Sequence, residues 1–295
     1  MIENTEQRKL ELKELLQAAL DRGTLTRPEA LVLRGKLGFA DSFVHGRLGI
    51  LVLSKLIEHA YGAQKQIDES LRDALRFMLE RLNSGKPRVV RAHRLAQWYI
   101  YSDASYEQGN KTGGIGGVLV NEQGECVSWF GFSVDSKSKT WLELGASAKD
   151  TIIYELELFA GVLALKFWNS KISCGLQVWF GDNEAVRFSL IKGSAEGDVA
   201  QTLMRIHLEH EALNSSQAWF ARVPTEANIS DFPSRGEAHP MLKPKLSESL
   251  PAKDSFDDIM QCLRYLGVLA FEGGQAVHRT PMSRKRKRGR SCLAL

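Results

Sequence analysis

Several carboxylates stand where a packed chain gains no stability from a charge. Asp103 closes the apolar run Trp98-Tyr99-Ile100-Tyr101, and Asp182 closes LQVWFGD. Glu155 and Glu157 lie inside the apolar run IIYELELFAGVLALKFW, and Asp231 sits in PTEANISDFPSRG, just after WFARV. A charge at the end of a buried strand is costly unless something neutralises it. Two aspartates ending adjacent strands, with a glutamate from a helix crossing the same sheet, form a mutually repelling cluster that bound cations stabilise. Hard divalent ions such as Mg²⁺ take oxygen ligands and often bind substrate phosphates. Two such ions about 3.5–4 Å apart can stabilise both the attacking and the leaving oxygen of a phosphodiester. That chemistry needs carboxylates and neither histidine nor cysteine. Taken singly, Asp103 also reads as a turn aspartate before Ala-Ser, and Asn228 to Arg235 as a capping turn.

Glu155 and Glu157 are two residues apart, roughly 200° around a helix, so both cannot face one site. Ala160, Gly161 and Ala164 lie on the side of Glu157 and would let that face approach a sheet closely. Glu155 falls in the first turn, where the helix dipole favours an acid. Glu157 is the expected ligand.

The elements that must position these groups follow from periodicity. Residues 5–21, a segment opened by Thr26-Arg27-Pro28-Glu29, residues 47–60 and residues 67–82 read as helices. From 97 the pattern changes. Strands are expected near 97–102, 114–120 and 125–132, with a Gly-rich turn between the first two. A helix is expected over 151–168, a strand over 176–180, helices over 183–191 and 196–213, and a strand over 218–223. The fold class is therefore α/β, a mixed five-stranded sheet flanked by helices and preceded by a small helical unit. We expect a helical unit over 1–83, a basic linker over 84–96, and the α/β domain over 97–236. An irregular segment with a terminal apolar helix at 255–271 should follow within 237–271, and then a basic, disordered tail over 272–295.

Composition limits the remaining classes. The chain of 295 residues carries a net charge of +4, unevenly spread. Lys and Arg dominate the first 96 residues, Asp and Glu dominate 97–283, and the last twelve residues hold six basic side chains and no acid. A basic front suits nucleic acid, and an acidic middle suits cations. No apolar run is long enough to span a bilayer, and the N-terminus lacks a signal-peptide core. The four cysteines, Cys126, Cys174, Cys262 and Cys292, show no CxxC pair. Neither a disulfide framework nor a zinc site is expected, which suits a reducing compartment.

These motifs together resemble the ribonuclease H domain of retroelement reverse transcriptases, in its DIRS-like or hepadnavirus-like form. YSDAS with the Gly-rich stretch resembles the first aspartate motif, ELELFAGVLAL the helix motif, GDNEAV the second aspartate, and RVPTEANISDFPSRG the last. The likeness covers residues 97–236, and its Glu-Leu…Ala-Leu pattern also selects Glu157. It implies two Mg²⁺ ions, with Mn²⁺ as a substitute. Asp103 would bridge them, Glu157 and Asp182 would complete one, and Asp231 would serve the other and the attacking water. Ser105, Asn183, Asn228 and Arg235 are the implied substrate contacts. The implied substrate is an RNA–DNA hybrid, selected through 2′-hydroxyls, with RNA cut to 5′-phosphate and 3′-hydroxyl ends. Two departures stand out. No histidine lies in the loop before Asp231, with His207 and His210 expected on a helix surface, and the stretch 133–150 is long for the family. The alternative is a catalytically inactive module of the same fold that binds nucleic acid or protein.

The front segment LTRPEALVLRGKLGFADSFVHGRLG resembles the thumb or connection that follows a reverse-transcriptase palm. Its Arg27, Arg34, Lys36 and Arg47 could meet phosphates or form a solvated face. No Tyr-x-Asp-Asp motif occurs in the chain, so it is not expected to polymerise DNA. The tail SRKRKRGRSCLAL suits nuclear import or nucleic-acid contact. Its Cys292-Leu-Ala-Leu ending also has the format of a prenylation signal, and hence of a lipid anchor. Nucleus and cytoplasm are both compatible locations.

Overall fold

The computed structural model describes residues 1–89, 96–107, 109, 112–135, 151–172, 175–214 and 217–247. Four helices come first: α1 (Glu6–Arg22), α2 (Arg27–Asp41), α3 (Ile50–Tyr61) and α4 (Glu69–Ser84). Their starts are written in the sequence. Thr5 and Asp68 cap α1 and α4 with side-chain oxygens, and Thr26 with Glu29 forms a capping box at α2. Leu16, Leu37, Leu56, Leu75 and Met78 are fully buried among them, in a core of their own. Arg81 is buried too, with Nε 2.6 Å from Asp41 and Nη2 2.8 Å from Gly46 O. This ties α4 to the loop that leaves α2.

That loop reaches the second half of the chain. Arg47 makes a forked pair with Glu211, Nη2 to Oε2 at 2.8 Å, and donates to Leu190 O and Ile191 O. Lys86 donates to Leu213 O at 3.1 Å, and His45 bonds to Asn214 O. Arg47 is therefore neither a phosphate-facing side chain nor part of a solvated face, as its charge alone had suggested. It binds carbonyls at the end of a helix, where a cation is favoured. Of the expected linker, Pro87 bridges Val44 and Arg88 bridges Ile2, both against the helical unit.

The second half holds β1 (Gln97–Glu107), β2 (Thr112–Val120), β3 (Cys126–Asp135), α5 (Ile153–Ile172), β4 (Leu176–Gly181), α6 (Glu184–Lys192), α7 (Asp198–Leu213), β5 (Gln217–Arg222) and the short α8 (Asp231–Ser234). The strands form one sheet in the order β3-β2-β1-β4-β5. β1, β2 and β3 run antiparallel, while β4 and β5 run parallel to β1. This is the expected mixed five-stranded sheet flanked by helices. α5 is apolar around most of its circumference because it is enclosed: Phe159, Leu163 and Trp168 are fully buried between the sheet and α7.

Two features differ from the expected elements. The second strand starts at Thr112 rather than 114, so that the Gly-rich turn gives up Gly113 to it, and Gly113, Gly114, Gly116 and Gly117 all pair with β1. Glycine is required there by a close approach from above. A methyl group on Gly114 would lie 1.8 Å from Ser234 O, and one on Gly116 would lie 2.5 Å from Ser234 N. Gly131 on β3 meets Pro233 O in the same way at 2.6 Å. The glycines form a floor on which α8 rests. Secondly, β1 does not end at Asp103. It continues to Glu107 alongside β2, while its pairing with β4 stops at Tyr101–Phe180. The expected helix at 255–271, most of the long stretch 133–150, the basic tail and Cys292 lie outside the described residues.

Candidate metal centre

The half-paired stretch of β1 creates the site. Beyond Tyr101–Phe180 the parallel strands β1 and β4 no longer bond, and Asp103 and Asp182 flank the gap at their carboxyl-side ends. In open α/β sheets this is where ligands bind, at the point where the strand order reverses. Glu157, on the first turns of α5, completes the group. Asp103, Glu157 and Asp182 each present an oxygen within 4.8 Å of the others. Asp103 and Glu157 are buried.

The electrostatics are those of uncompensated acids. Burial pushes the Asp103 carboxyl up to about 7, and the charges of Asp182 and Asp231 push the same way against a hydrogen bond from Ser234. Burial, reinforced by Asp103 and Asp182, raises Glu157 well above the carboxylate range. Three convergent oxygen donors, two of which resist ionisation when alone, are a donor set suited to a hard divalent cation.

The two aspartates are held by neutral donors. Ser234 Oγ donates to Asp103 Oδ2 at 2.6 Å, and Asn228 Nδ2 to Asp103 Oδ1 at 3.3 Å. Ser230 Oγ in turn donates to Asn228 Oδ1 at 2.6 Å. Thr225 Oγ1 donates to Asp182 Oδ2 at 2.8 Å. Asn183 caps α6, its Oδ1 accepting from Ala185 N and Val186 N. Its amide also opposes the upward push on the Glu157 carboxyl.

No family model matches the chain, and no curated protein matches it. Solved structures do match. The ribonuclease H1 of Halobacterium salinarum NRC-1 is 18% identical, covering 47% of this chain and 95% of its own, with a TM-score of 0.37. The N-terminal ribonuclease H domain of a Mycobacterium tuberculosis protein is 12% identical over 48% of this chain and 92% of its own, with a TM-score of 0.37. LC11-RNase H1, in complex with an RNA/DNA hybrid, is 15% identical over 48% of this chain and 95% of its own, again with a TM-score of 0.37.

The structure separates the expected site residues. It gathers Asp103, Glu157 and Asp182. It leaves Asp231 outside that group, at the start of α8, where Arg235 Nε donates to its Oδ1 at 2.8 Å. Its charge is still felt at Asp103. Asn228 and Ser105 were expected to face substrate. Instead Asn228 is 2% exposed and turned to Asp103, and Ser105 Oγ donates to Ser234 O at 2.7 Å. Both serve the docked α8 loop. Asn183 likewise serves its helix cap. Arg235, half-exposed, still reaches the surface. His207 is not a helix-surface residue. It is 4% exposed, between Trp179 and Phe220, and burial pushes it down to about 3. His210 bonds to Asn169 Oδ1 at 2.8 Å. Neither replaces a loop histidine at the carboxylates. The residues missed from sequence are Thr225, Ser230 and Ser234. Their only signal was the crowding of hydroxyls within PTEANISDFPSRG.

Proposed function

We propose that this chain is a divalent-cation-dependent nuclease of the ribonuclease H type, hydrolysing the RNA strand of an RNA–DNA hybrid. In this reading the helical unit is the thumb- or connection-like part of a retroelement reverse transcriptase. The observation that carries the catalytic reading is the convergence of Asp103, Glu157 and Asp182 within 4.8 Å of one another, from two strand ends and a helix. Those three residues would hold Mg²⁺, with Asp231 alongside. Bound Mg²⁺ supplies Lewis-acid charge for phosphodiester oxygens and a more acidic water. The chain's own contribution is preorganisation. Ser234 and Asn228 aim Asp103, and Thr225 aims Asp182. Arg235 is half-exposed, its charge acts on Asp103, and it suits a phosphate contact.

The test is cleavage of a labelled hybrid with Mg²⁺ or Mn²⁺. We expect cutting by the native chain and its loss in Asp182→Asn. An intact hybrid under both metals overturns the reading. A second reading, a binding module of the same fold, is favoured by the inward use of Ser105 and Asn228, which leaves few side chains for a substrate. It would show as hybrid binding that is the same in the native chain and in Asp182→Asn, without cleavage.

A further inference from the structure

β5 is the last strand of the sheet, and no described strand pairs with its outer edge. Beside that edge lies a groove of about 640 Å³ between the two halves of the chain. It is lined by β5 from Gln217 to Phe220, by α6, and on the side of the helical unit by the loop around His45 and by Arg88. Its charges are unbalanced. Arg47, Arg88 and Arg187 stand against Glu211 alone, and Glu211 is already paired with Arg47. Arg222, exposed on β5 itself, shares Glu184 with Arg187. Guanidinium groups also alternate with rings. Arg47 lies 5.6 Å from the ring centre of Phe220, and Arg187 lies 4.8 Å from that of Phe188. Trp219, on the same stretch of β5, is 72% exposed. Arginines that meet phosphates beside an aromatic ring left to solvent are the chemistry that holds an unpaired nucleic-acid strand. An open edge also suits an added peptide strand, but charged side chains on and beside an edge oppose that pairing.

We propose that this groove holds a single strand of nucleic acid, with a base stacked on Trp219 and phosphates on Arg88 and Arg187. The strand ladder leads from there to the carboxylates. Trp219 pairs with Val178, and Arg222 pairs with Gly181, which precedes Asp182. Val178 and Asp182 are four residues apart, about 13 Å along the strand. A nucleic-acid strand at 3.4 Å per base covers that in about four steps. A base that stacks on an indole is an unpaired one, so the ligand is the single-stranded extension of a hybrid rather than its paired part. The link to the carboxylates rests on the nuclease reading above. The affinity of the groove for a single strand does not, and it is measured apart from cleavage.

The test uses the full chain in EDTA with a labelled single-stranded DNA of about twelve nucleotides, followed by fluorescence anisotropy. We expect binding that quenches the Trp219 emission, read by difference against Trp219→Phe. Trp219→Ala should weaken binding about tenfold. Arg88→Ala should weaken it as well, and should reduce the slope of log affinity against log salt by about 0.7, the mark of one phosphate contact. Arg34→Ala makes an equal change of charge at an exposed position of α2 outside the groove, and should leave affinity and slope unchanged. Circular dichroism verifies the fold of each variant. A native chain that does not bind the strand overturns the proposal. So do equal affinities for the native chain and Trp219→Ala, or equal slopes for Arg88→Ala and Arg34→Ala. Trp219 emission that changes with protein concentration alone, while sedimentation shows a dimer, also overturns it, since the edge then pairs with a second copy. Single-stranded DNA in EDTA is not cleaved, so a chain without nuclease activity still gives these readouts, and a chain that fails them can still cut a hybrid.

Discussion

Asp103 and Asp182 each lie two residues beyond Tyr101–Phe180, the last bonded pair between β1 and β4. The sheet itself thus sets the distance between the two aspartates, and the backbone cannot relax it without breaking the ladder. Their repulsion is built in. Replacing Asp103 by Asn should abolish hybrid cleavage while raising the melting temperature of the metal-free protein at neutral pH. Calorimetric titration should show Mg²⁺ affinity reduced by about tenfold or more. A metal-free Asp103→Asn protein less stable than the native one would contradict this account of the cluster.

The same strain has a pH signature. Asp103 titrates at about 7 in the folded protein, against about 3.9 for an aspartate in an unfolded chain. Between those values the folded state holds a proton that the unfolded state has released. Metal-free stability therefore falls as pH rises from about 4 to about 7, by an amount on the order of 2–4 kcal/mol. Glu157, raised by the same burial, adds to the fall. Urea melts in EDTA across this range should show the decline, and excess Mg²⁺ should flatten it.

Ser234 acts on Asp103 through a single hydroxyl. Ser234→Ala should leave the fold intact and destabilise the metal-free protein by about 1–2 kcal/mol. Its clearer mark should be on Mg²⁺ binding, several-fold weaker by titration calorimetry, because one carboxylate oxygen loses its fixed direction. Unchanged metal affinity would reduce Ser234 to a packing residue.

The glycine floor gives a sharper contrast. Gly116→Ala places a methyl group 2.5 Å from Ser234 N and 2.6 Å from Ser230 O. We expect a loss of about 1–3 kcal/mol in stability, with weakened Mg²⁺ binding as the α8 loop lifts. Gly109→Ala meets nothing within 4 Å and should be neutral on both counts. Denaturant melts and metal titrations of the two variants side by side decide the matter.

Arg81 is buried with Asp41, whose carboxyl is raised by burial despite that partner. Arg81→Ala leaves a buried acid unpaired and should destabilise the helical unit by about 3–5 kcal/mol. Urea unfolding should then separate into two transitions, the first from α1 to α4. A single unshifted transition would argue against the pair's structural role.

Much of this architecture was legible in the residues. Apolar periodicity and caps marked the helices, and β-branched and aromatic runs marked the strands to within a few residues. Asp103, Glu157 and Asp182 could be singled out because a charge in an apolar run is conspicuous. What could not be read was contact between distant segments. The need for glycine at Gly114 and Gly116 has no local sign until Ser234, more than a hundred residues later, is seen to rest on them. His207 looks like a surface residue between charged neighbours until Trp179 and Phe220 close around it. Arg47 looks like one more basic residue until Leu190 O and Ile191 O reach it. Hydroxyls such as those of Thr225 and Ser234 carry no periodicity at all, so nothing local announces their role.

The bonds from Arg47, His45 and Lys86 to the last turns of α6 and α7 also have a consequence in time. Chains leave the ribosome N-terminus first, and domains fold as they emerge. The helical unit, built from local contacts, is complete well before Leu190 or Asn214 has been made. It is then a waiting template, with cations already in place for carbonyls not yet synthesised. The slow, non-local pairing of β4 and β5 with β1 therefore begins beside a finished surface that receives the ends of the helices between those strands.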